Sequence, residues 1–181
     1  DYLYVRAKNG IFIVSKKYPD KYKILNNIKS TQHIKEVINK NEIWFAVQKK
    51  GVYRIKLIPN DLNQLNKLET TLYDDSYLPK KGKIKIFKIY DKLIFKTQDK
   101  IYQFNENKET FYISKIFDTV PNIKEKVILK IEETNNKTYW INFTERINDR
   151  RVQTFYELDK SLNLKILPFN LLAHHLSIKF F

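Results

Sequence analysis

The sequence contains no cysteine and no methionine among its 181 residues, and it has only three glycines and five prolines. Without cysteine the chain can form neither a disulfide framework nor a thiolate metal site. So little glycine and proline excludes a low-complexity linker. There is also no apolar run near the roughly 20 residues that a membrane-spanning helix requires. These absences exclude several classes of protein but leave the cellular compartment open.

Catalytic motifs are absent as well. The sequence has no nucleophile elbow and no glycine loop that could cradle a phosphate. The histidines His33, His174 and His175 are expected to be structural or solvent-exposed, because no carboxylate stands at metal-ligand spacing beside them. Scattered carboxylates could still form a glycosidase pair, since their separation in a fold is invisible in the sequence. We predict a segment without enzymatic activity, catalytic residues, cofactor or metal.

Basic residues clearly outnumber acidic ones, with 34 Lys and Arg against 20 Asp and Glu and a formal net charge of +14. Such a charge suits an anionic partner, for example an acidic polysaccharide, nucleic acid or a membrane surface. The alternative is a solvated basic surface, which is favoured because most cations are lysines spread along the chain, and lysines on outer strands discourage edge pairing. We expect no nucleic-acid partner and no membrane contact.

The composition favours an ordered chain of β-strands. Aromatic residues make up 14% of the sequence, and Tyr and Phe are high-propensity strand residues. The clearest hairpin joins strands at residues 43–47 and 52–57 through a turn that carries Gly51. Looser versions of this hairpin recur along the chain. With the clearest one included, the first strand cores start at positions 3, 43, 93 and 139, in steps of 40, 50 and 46 residues. Hairpins at a period of roughly 40–50 residues are typical of a β-propeller, with one repeat per four-stranded blade.

We therefore predict an all-β chain of β-propeller blades, each a four-stranded antiparallel sheet. The approximate blades span residues 1–30 (partial), 31–80, 81–124 and 125–172, and residues 173–181 start a further blade. Because propellers use about four to eight blades, we expect a fragment of a larger ring whose first partner is the rest of that ring. An isolated arc would expose blade faces at both ends, so it should self-associate or be marginally stable.

The clearest hairpin resembles the two-component regulator propeller repeat, in which a strand with a central Trp leads through a glycine turn to a second strand. The matching residues are Ile43-Trp44-Phe45 and Gly51-Val52-Tyr53-Arg54-Ile55. Residues 10–12, 100–104 and 132–140 match more loosely. The third repeat departs from the pattern, with Ile94 in place of the Trp and Lys100 in place of the glycine, and the fourth lacks the glycine.

This resemblance implies the periplasmic, or otherwise extracytoplasmic, sensor region of a bacterial two-component-type signalling protein. In that family the propellers often precede a three-tyrosine immunoglobulin-like domain, a membrane span and an intracellular signalling part, so any histidine kinase would lie elsewhere in the parent protein. The resemblance further implies signal transduction by a homodimeric parent and binding of a ligand such as an oligosaccharide. Two other hypotheses stay open: a scaffold or module that binds polysaccharide or nucleic acid, and a fragment of a glycoside-active enzyme.

Aromatic side chains recur at fixed places in the repeat, namely at Tyr4, Trp44, Tyr53 and Trp140. Their flat faces suit stacking on pyranose rings. A fixed place in every repeat instead favours the packing of one blade on the next, and we predict that role for them.

Residues 144–151 form an unusually long polar insert in the fourth repeat. The insert holds three of the five arginines of the sequence, Arg146, Arg150 and Arg151. Guanidinium groups bind carboxylate or sulfate through two parallel hydrogen bonds, and loops carry function more often than strands do. These three arginines are the predicted ligand-binding residues. The alternative is a plain long hairpin in which Glu145 and Asp149 satisfy the arginines locally.

Overall fold

The computed structural model describes residues 2–7, 10–15, 22–25, 36–39, 42–47, 50–56, 69–78 and 83–168, with side chains from residue 42 onward. Fifteen β-strands make up the regular secondary structure of these ranges. Within them no helix is long and apolar enough to cross a membrane. The three histidines and residues 173–181, predicted to begin a further blade, lie outside the described residues.

The strands form four antiparallel sheets, each built from strands that are consecutive in the sequence. The first sheet contains β1 (Tyr2–Ala7), β2 (Gly10–Ser15) and β3 (Tyr22–Leu25). The second contains β4 (Glu36–Asn39), β5 (Glu42–Val47), β6 (Gly51–Lys56) and β7 (Glu69–Tyr73). The third contains β8 (Lys85–Ile89), β9 (Lys92–Lys96), β10 (Ile101–Asn105) and β11 (Thr110–Ile113). The fourth contains β12 (Val127–Glu133), β13 (Tyr139–Ile147), β14 (Arg150–Leu158) and β15 (Leu164–Ile166). The prediction of an all-β chain of antiparallel sheets is confirmed.

The third sheet is covered on both faces. Successive side chains of a strand point to opposite faces, and in β9 consecutive residues are buried. Leu93 and Phe95 pack in the core shared with the second sheet, whereas Ile94 packs in the core shared with the fourth. The second, third and fourth sheets are therefore stacked face to face in sequence order.

Aromatic rings fill the core between the second and third sheets. Trp44 is fully buried, and its ring centroid lies 5.4 Å from that of Phe95 and 4.8 Å from that of Phe104, both in the third sheet. The packing role predicted for Trp44 is thus confirmed. Tyr53 packs within its own sheet, where it stacks on Phe45 at 5.2 Å. Trp140 lies on the face of the fourth sheet opposite to its buried core, because its neighbours Tyr139 and Ile141 point into that core.

Gly51 is required by a close approach of two strands. It begins β6 with φ of 128°, and a Cβ atom there would lie 2.2 Å from the carbonyl oxygen of Tyr73 at the end of β7. The third sheet has Lys100 at the corresponding position. There the Thr97 amide and hydroxyl each donate a hydrogen bond to the Lys100 carbonyl oxygen, at 2.9 and 3.0 Å.

One predicted strand segment is wrong. The apolar pair Ile116-Phe117 predicts a continuation of the outer strand of the third repeat, but β11 ends at Ile113 and residues 116–125 form consecutive turns. The chain turns because the Ser114 hydroxyl accepts a hydrogen bond from the Ile116 amide at 3.3 Å. Phe117 is thereby directed inward and packs against Phe143 of the fourth sheet, with ring centroids 5.6 Å apart.

Candidate functional site

The two central strands of the fourth sheet extend further than those of its neighbours. β13 and β14 are nine residues long, against five for β9 and β10. Their pairing continues to Ile147 and Arg150, which flank a turn of two residues. The insert at residues 144–151 is therefore strand on both sides of a tight turn. Residues 144–151 thus form a long hairpin.

The turn at Asn148 and Asp149 explains why the strands continue. Both residues have positive φ, 47° and 62°, as a type I′ turn requires, and this turn matches the twist of the flanking strands. Asn and Asp are among the residues that tolerate this conformation best. The adjacent pair Asn148-Asp149 was the sequence signal that could have identified the hairpin.

The strand register divides the three predicted arginines between the two faces of the hairpin. Arg146 pairs with Arg151, so these two share a face, whereas Arg150 pairs with Ile147 on the other. Like charges directly opposite each other destabilise a strand pair. An anion between Arg146 and Arg151 would remove that repulsion. The structure thus brings together two of the three predicted residues and separates Arg150 from them.

A cavity of about 340 Å³ lies beside this face of the hairpin. The residues that line it are Glu125, Val127, Thr144, Glu145, Arg146, Asp149 and Arg151. The Thr144 hydroxyl is buried and has no hydrogen-bond partner in the described part of the chain. A buried hydroxyl without a partner costs free energy.

The acidic residues near the tip neutralise the arginines only in part. Asp149 forms an ion pair with Arg146 at 3.2 Å, but both side chains are exposed, where such pairs contribute little. Glu145 forms an ion pair with Lys126 instead, and both of these side chains are nearly buried. No carboxylate of the described residues forms an ion pair with Arg151. Of the three arginines at the tip, only Arg146 therefore has the local carboxylate partner that the alternative from the sequence required, among the described residues.

A buried arginine in the repeat motif has a different environment. Arg54 contacts the carboxylates of Glu42 and Glu109. The distance to the Glu109 carboxylate, which lies in the turn before β11, is 3.2 Å. Its guanidinium carbon also lies 5.2 Å from the ring centroid of Trp44 and 5.1 Å from that of Phe104. These contacts join the second sheet to the third, so Arg54 stabilises their packing. The sequence did not reveal this role, because Glu109 is 55 residues away.

Burial and neighbouring groups shift the pKa values of Arg54 and Tyr73 in opposite directions. Burial lowers the pKa of Arg54, but its interactions with Glu42 and Tyr73 outweigh burial and raise the pKa above its usual value. Burial raises the pKa of Tyr73, and the neighbouring Arg54 charge opposes that rise. Arg54 thus stays charged and Tyr73 neutral over the physiological range.

Metal binding has no support in the described ranges, since no three His, Asp or Glu side chains cluster there as a metal site would require.

No family model matches this sequence, and no curated protein matches it. Among solved structures, the chain is similar to the extracellular domain of BT4673 from B. thetaiotaomicron, which is described with that structure as a one component system. The identity is 16% and the TM-score 0.52, over 91% of this chain and 20% of that one. A second structure of the BT4673 extracellular domain, assigned to the hybrid two component systems, gives 13% identity and a TM-score of 0.49 over 92% and 26% of the two chains.

The chain is also similar to the N-terminal domain of Nup159, with 8% identity and a TM-score of 0.51 over 94% of this chain and 46% of that one. It therefore spans less than half the length of each of these three structures. At such identities the similarity is one of fold, an arrangement of antiparallel sheets.

Proposed function

We propose that this chain is a non-catalytic, extracytoplasmic β-propeller segment through which a bacterial two-component-type signalling protein senses a ligand. The observation that carries the proposal is the stacking of consecutive four-stranded meanders face to face, with the third sheet covered on both sides. The opening strands β4 and β8 of neighbouring sheets also lie side by side, as the inner strands of propeller blades do. The fold similarity to the BT4673 extracellular domain supports the same assignment.

The ligand in this proposal is an acidic oligosaccharide that contacts the hairpin cavity. A volume of about 340 Å³ lies within the range of roughly 300–1,000 Å³ that small-molecule sites occupy. Arg146 and Arg151 would bind a carboxylate or sulfate group of the sugar. Arg150, on the opposite face, is left out of the site. The parent protein would supply the rest of the ring and form a homodimer.

A calorimetric titration with oligogalacturonate, heparin fragments and chondroitin sulfate fragments tests this proposal. Replacing both Arg146 and Arg151 with Gln should weaken binding of the preferred sugar at least tenfold, since each lost charged hydrogen bond is worth about 1.5–3 kcal/mol. The Arg150→Gln variant is the matched control and should change the affinity less than twofold. Equal effects of the double variant and the control, or binding to none of the three sugars, would contradict the proposal.

A second candidate is a scaffold that binds polyanions through its whole basic surface, which the net charge of +14 favours. Such binding should collapse between about 50 and 200 mM salt and should respond to any lysine substitution. Binding at the hairpin should instead depend on the two paired arginines, so their substitution should weaken it far more than a lysine substitution elsewhere. A glycoside-active enzyme would show turnover that one carboxylate substitution abolishes, whereas our proposal predicts no turnover.

A further inference from the structure

A second cavity, of about 150 Å³, lies at the edge of the core between the third and fourth sheets. Its walls are mainly apolar and include Ile101, Ile113, Phe117 and Ile123. The segment of turns after β11 forms one wall, and the end of β9 forms another. The cavity is separate from the hairpin cavity, and the inference drawn from it does not rest on the proposed function.

A single buried cation faces this apolar space. Lys96, the last residue of β9, is 5% exposed and lines the cavity. Its ammonium group donates one hydrogen bond, to the Gln98 carbonyl oxygen at 3.1 Å, although an ammonium carries three donors. No carboxylate of the described residues forms an ion pair with it.

The other charged groups that line the cavity are exposed, and solvent screens them. They are Asp99, Lys100, Asp118 and Lys124. Burial lowers the pKa of Lys96, and the charge of Asp99 opposes that shift without cancelling it. The cost of burying the Lys96 charge is therefore not recovered within the described residues.

The same structure contains a buried lysine that does have a counterion. Lys126 is also 5% exposed, and its ammonium group contacts the Glu145 carboxylate. Buried charges in proteins are normally paired in this way. The fold thus provides a carboxylate for Lys126, whereas Lys96 lines the cavity and forms no ion pair with a carboxylate of the described residues.

We propose that this cavity binds a small monocarboxylate, whose carboxylate pairs with Lys96 and whose apolar part lies against Ile101, Ile113 and Phe117. The volume sets the size of the apolar part, because an apolar cavity of about 150 Å³ holds one benzene ring. A benzoate-sized aromatic acid or a branched aliphatic acid of similar bulk fits these dimensions. The ligand supplies the counterion that the protein lacks.

Calorimetry and NMR titration of the full chain test the proposal, with benzoate and 3-methylbutanoate as probes and benzamide as the neutral isostere of benzoate. At least one of the two acids should bind at concentrations up to roughly 10 mM, as expected for so few atoms. Benzoate should bind at least tenfold more tightly than benzamide. Lys96→Met should remove this preference, whereas the matched control Lys108→Met, at an exposed lysine that does not line the cavity, should change the affinity less than twofold.

Two further variants keep the test decisive. Ile113→Glu alters the exposed part of the apolar wall, where Ile113 is 54% exposed, so it should preserve the fold while repelling benzoate. The double substitution of Arg146 and Arg151 by Gln should leave benzoate binding unchanged, which separates this site from the hairpin. Equal affinity for benzoate and benzamide, unchanged binding in both Lys96→Met and Ile113→Glu, or no binding of either acid would overturn the proposal.

Discussion

The interface between the second and third sheets and the cavity at the edge of the third sheet each contain a buried cation, but the two cations have different surroundings. Arg54 contacts two carboxylates and two aromatic rings. Lys96 has the Gln98 carbonyl oxygen as its acceptor and an apolar cavity beside it. A cation with protein counterions holds the sheets together, whereas a cation without one marks a place where an anionic ligand would be stabilised. The difference separates packing residues from candidate binding residues in a chain rich in basic side chains.

The largest expected effect concerns the packing side of this comparison. Trp44→Ala should lower the free energy of unfolding by about 3–5 kcal/mol, because it removes a fully buried ring at the centre of the interface. The matched control is Leu72→Ala on β7, where the side chain is 41% exposed and the cost should stay below about 1 kcal/mol. Denaturant-induced unfolding measures both. Similar losses in the two variants would mean that Trp44 does not join the sheets.

The ion cluster around Arg54 should be nearly as sensitive. Arg54→Met leaves Glu42 largely buried without its partner, at 16% exposure of its side chain, and should cost about 3 kcal/mol. Glu109→Gln should cost less than about 1 kcal/mol, because that side chain is 57% exposed. Unfolding free energies of the two variants check this order. A larger loss in Glu109→Gln than in Arg54→Met would contradict it.

Substituting the two buried lysines should change stability in opposite directions. Lys126→Met leaves the nearly buried Glu145 unpaired and should lower the free energy of unfolding by about 3 kcal/mol. Lys96→Met removes a buried charge that has no counterion and should raise it by about 1 kcal/mol. Thermal and denaturant unfolding of both variants would reveal the signs. A destabilised Lys96→Met variant would show that an internal partner stabilises Lys96 after all.

The smallest expected effect is a pH dependence of the stability that Lys96→Met gains over the unsubstituted protein. The pKa of Lys96 is lowered in the folded protein from its ordinary 10.5, so the folded state releases the proton before the unfolded state does. The cost of burial is fully present below the folded-state pKa and declines as the pH rises from there toward 10.5. The advantage of Lys96→Met should therefore shrink by less than about 1 kcal/mol between neutral and alkaline pH. Unfolding of both proteins across that range tests this, and an advantage that grows with pH would contradict the assignment.

Much of the strand pattern could be predicted from the sequence, because it depends on short-range signals. Alternating apolar residues and the Gly51 turn located the hairpin of β5 and β6, and similar patterns located most other strands. The turn after β11 was missed because its cause, the Ser114 hydroxyl, competes locally with strand pairing. Apolar side chains at Ile116 and Phe117 looked like strand residues but enter the core from a turn.

The candidate sites were less predictable, because they depend on register and on distant residues. The sequence pointed to the arginines of the hairpin, but only the two-residue turn at 148–149 decides that Arg146 and Arg151 share a face. Lys96 looked like any other lysine. Its burial results from a segment some 20 residues later, where Phe117 and Ile123 fold back beside the end of β9.

The most direct test of the account is an NMR titration of the lysine side chains with and without benzoate. Cations that lack a protein carboxylate are, in this account, the places where the segment binds anionic ligands. We predict that Lys96 titrates below its ordinary pKa in the free protein, that benzoate raises its pKa, and that the signals of Lys126 do not move with benzoate. An ordinary Lys96 pKa that benzoate leaves unchanged would contradict the account.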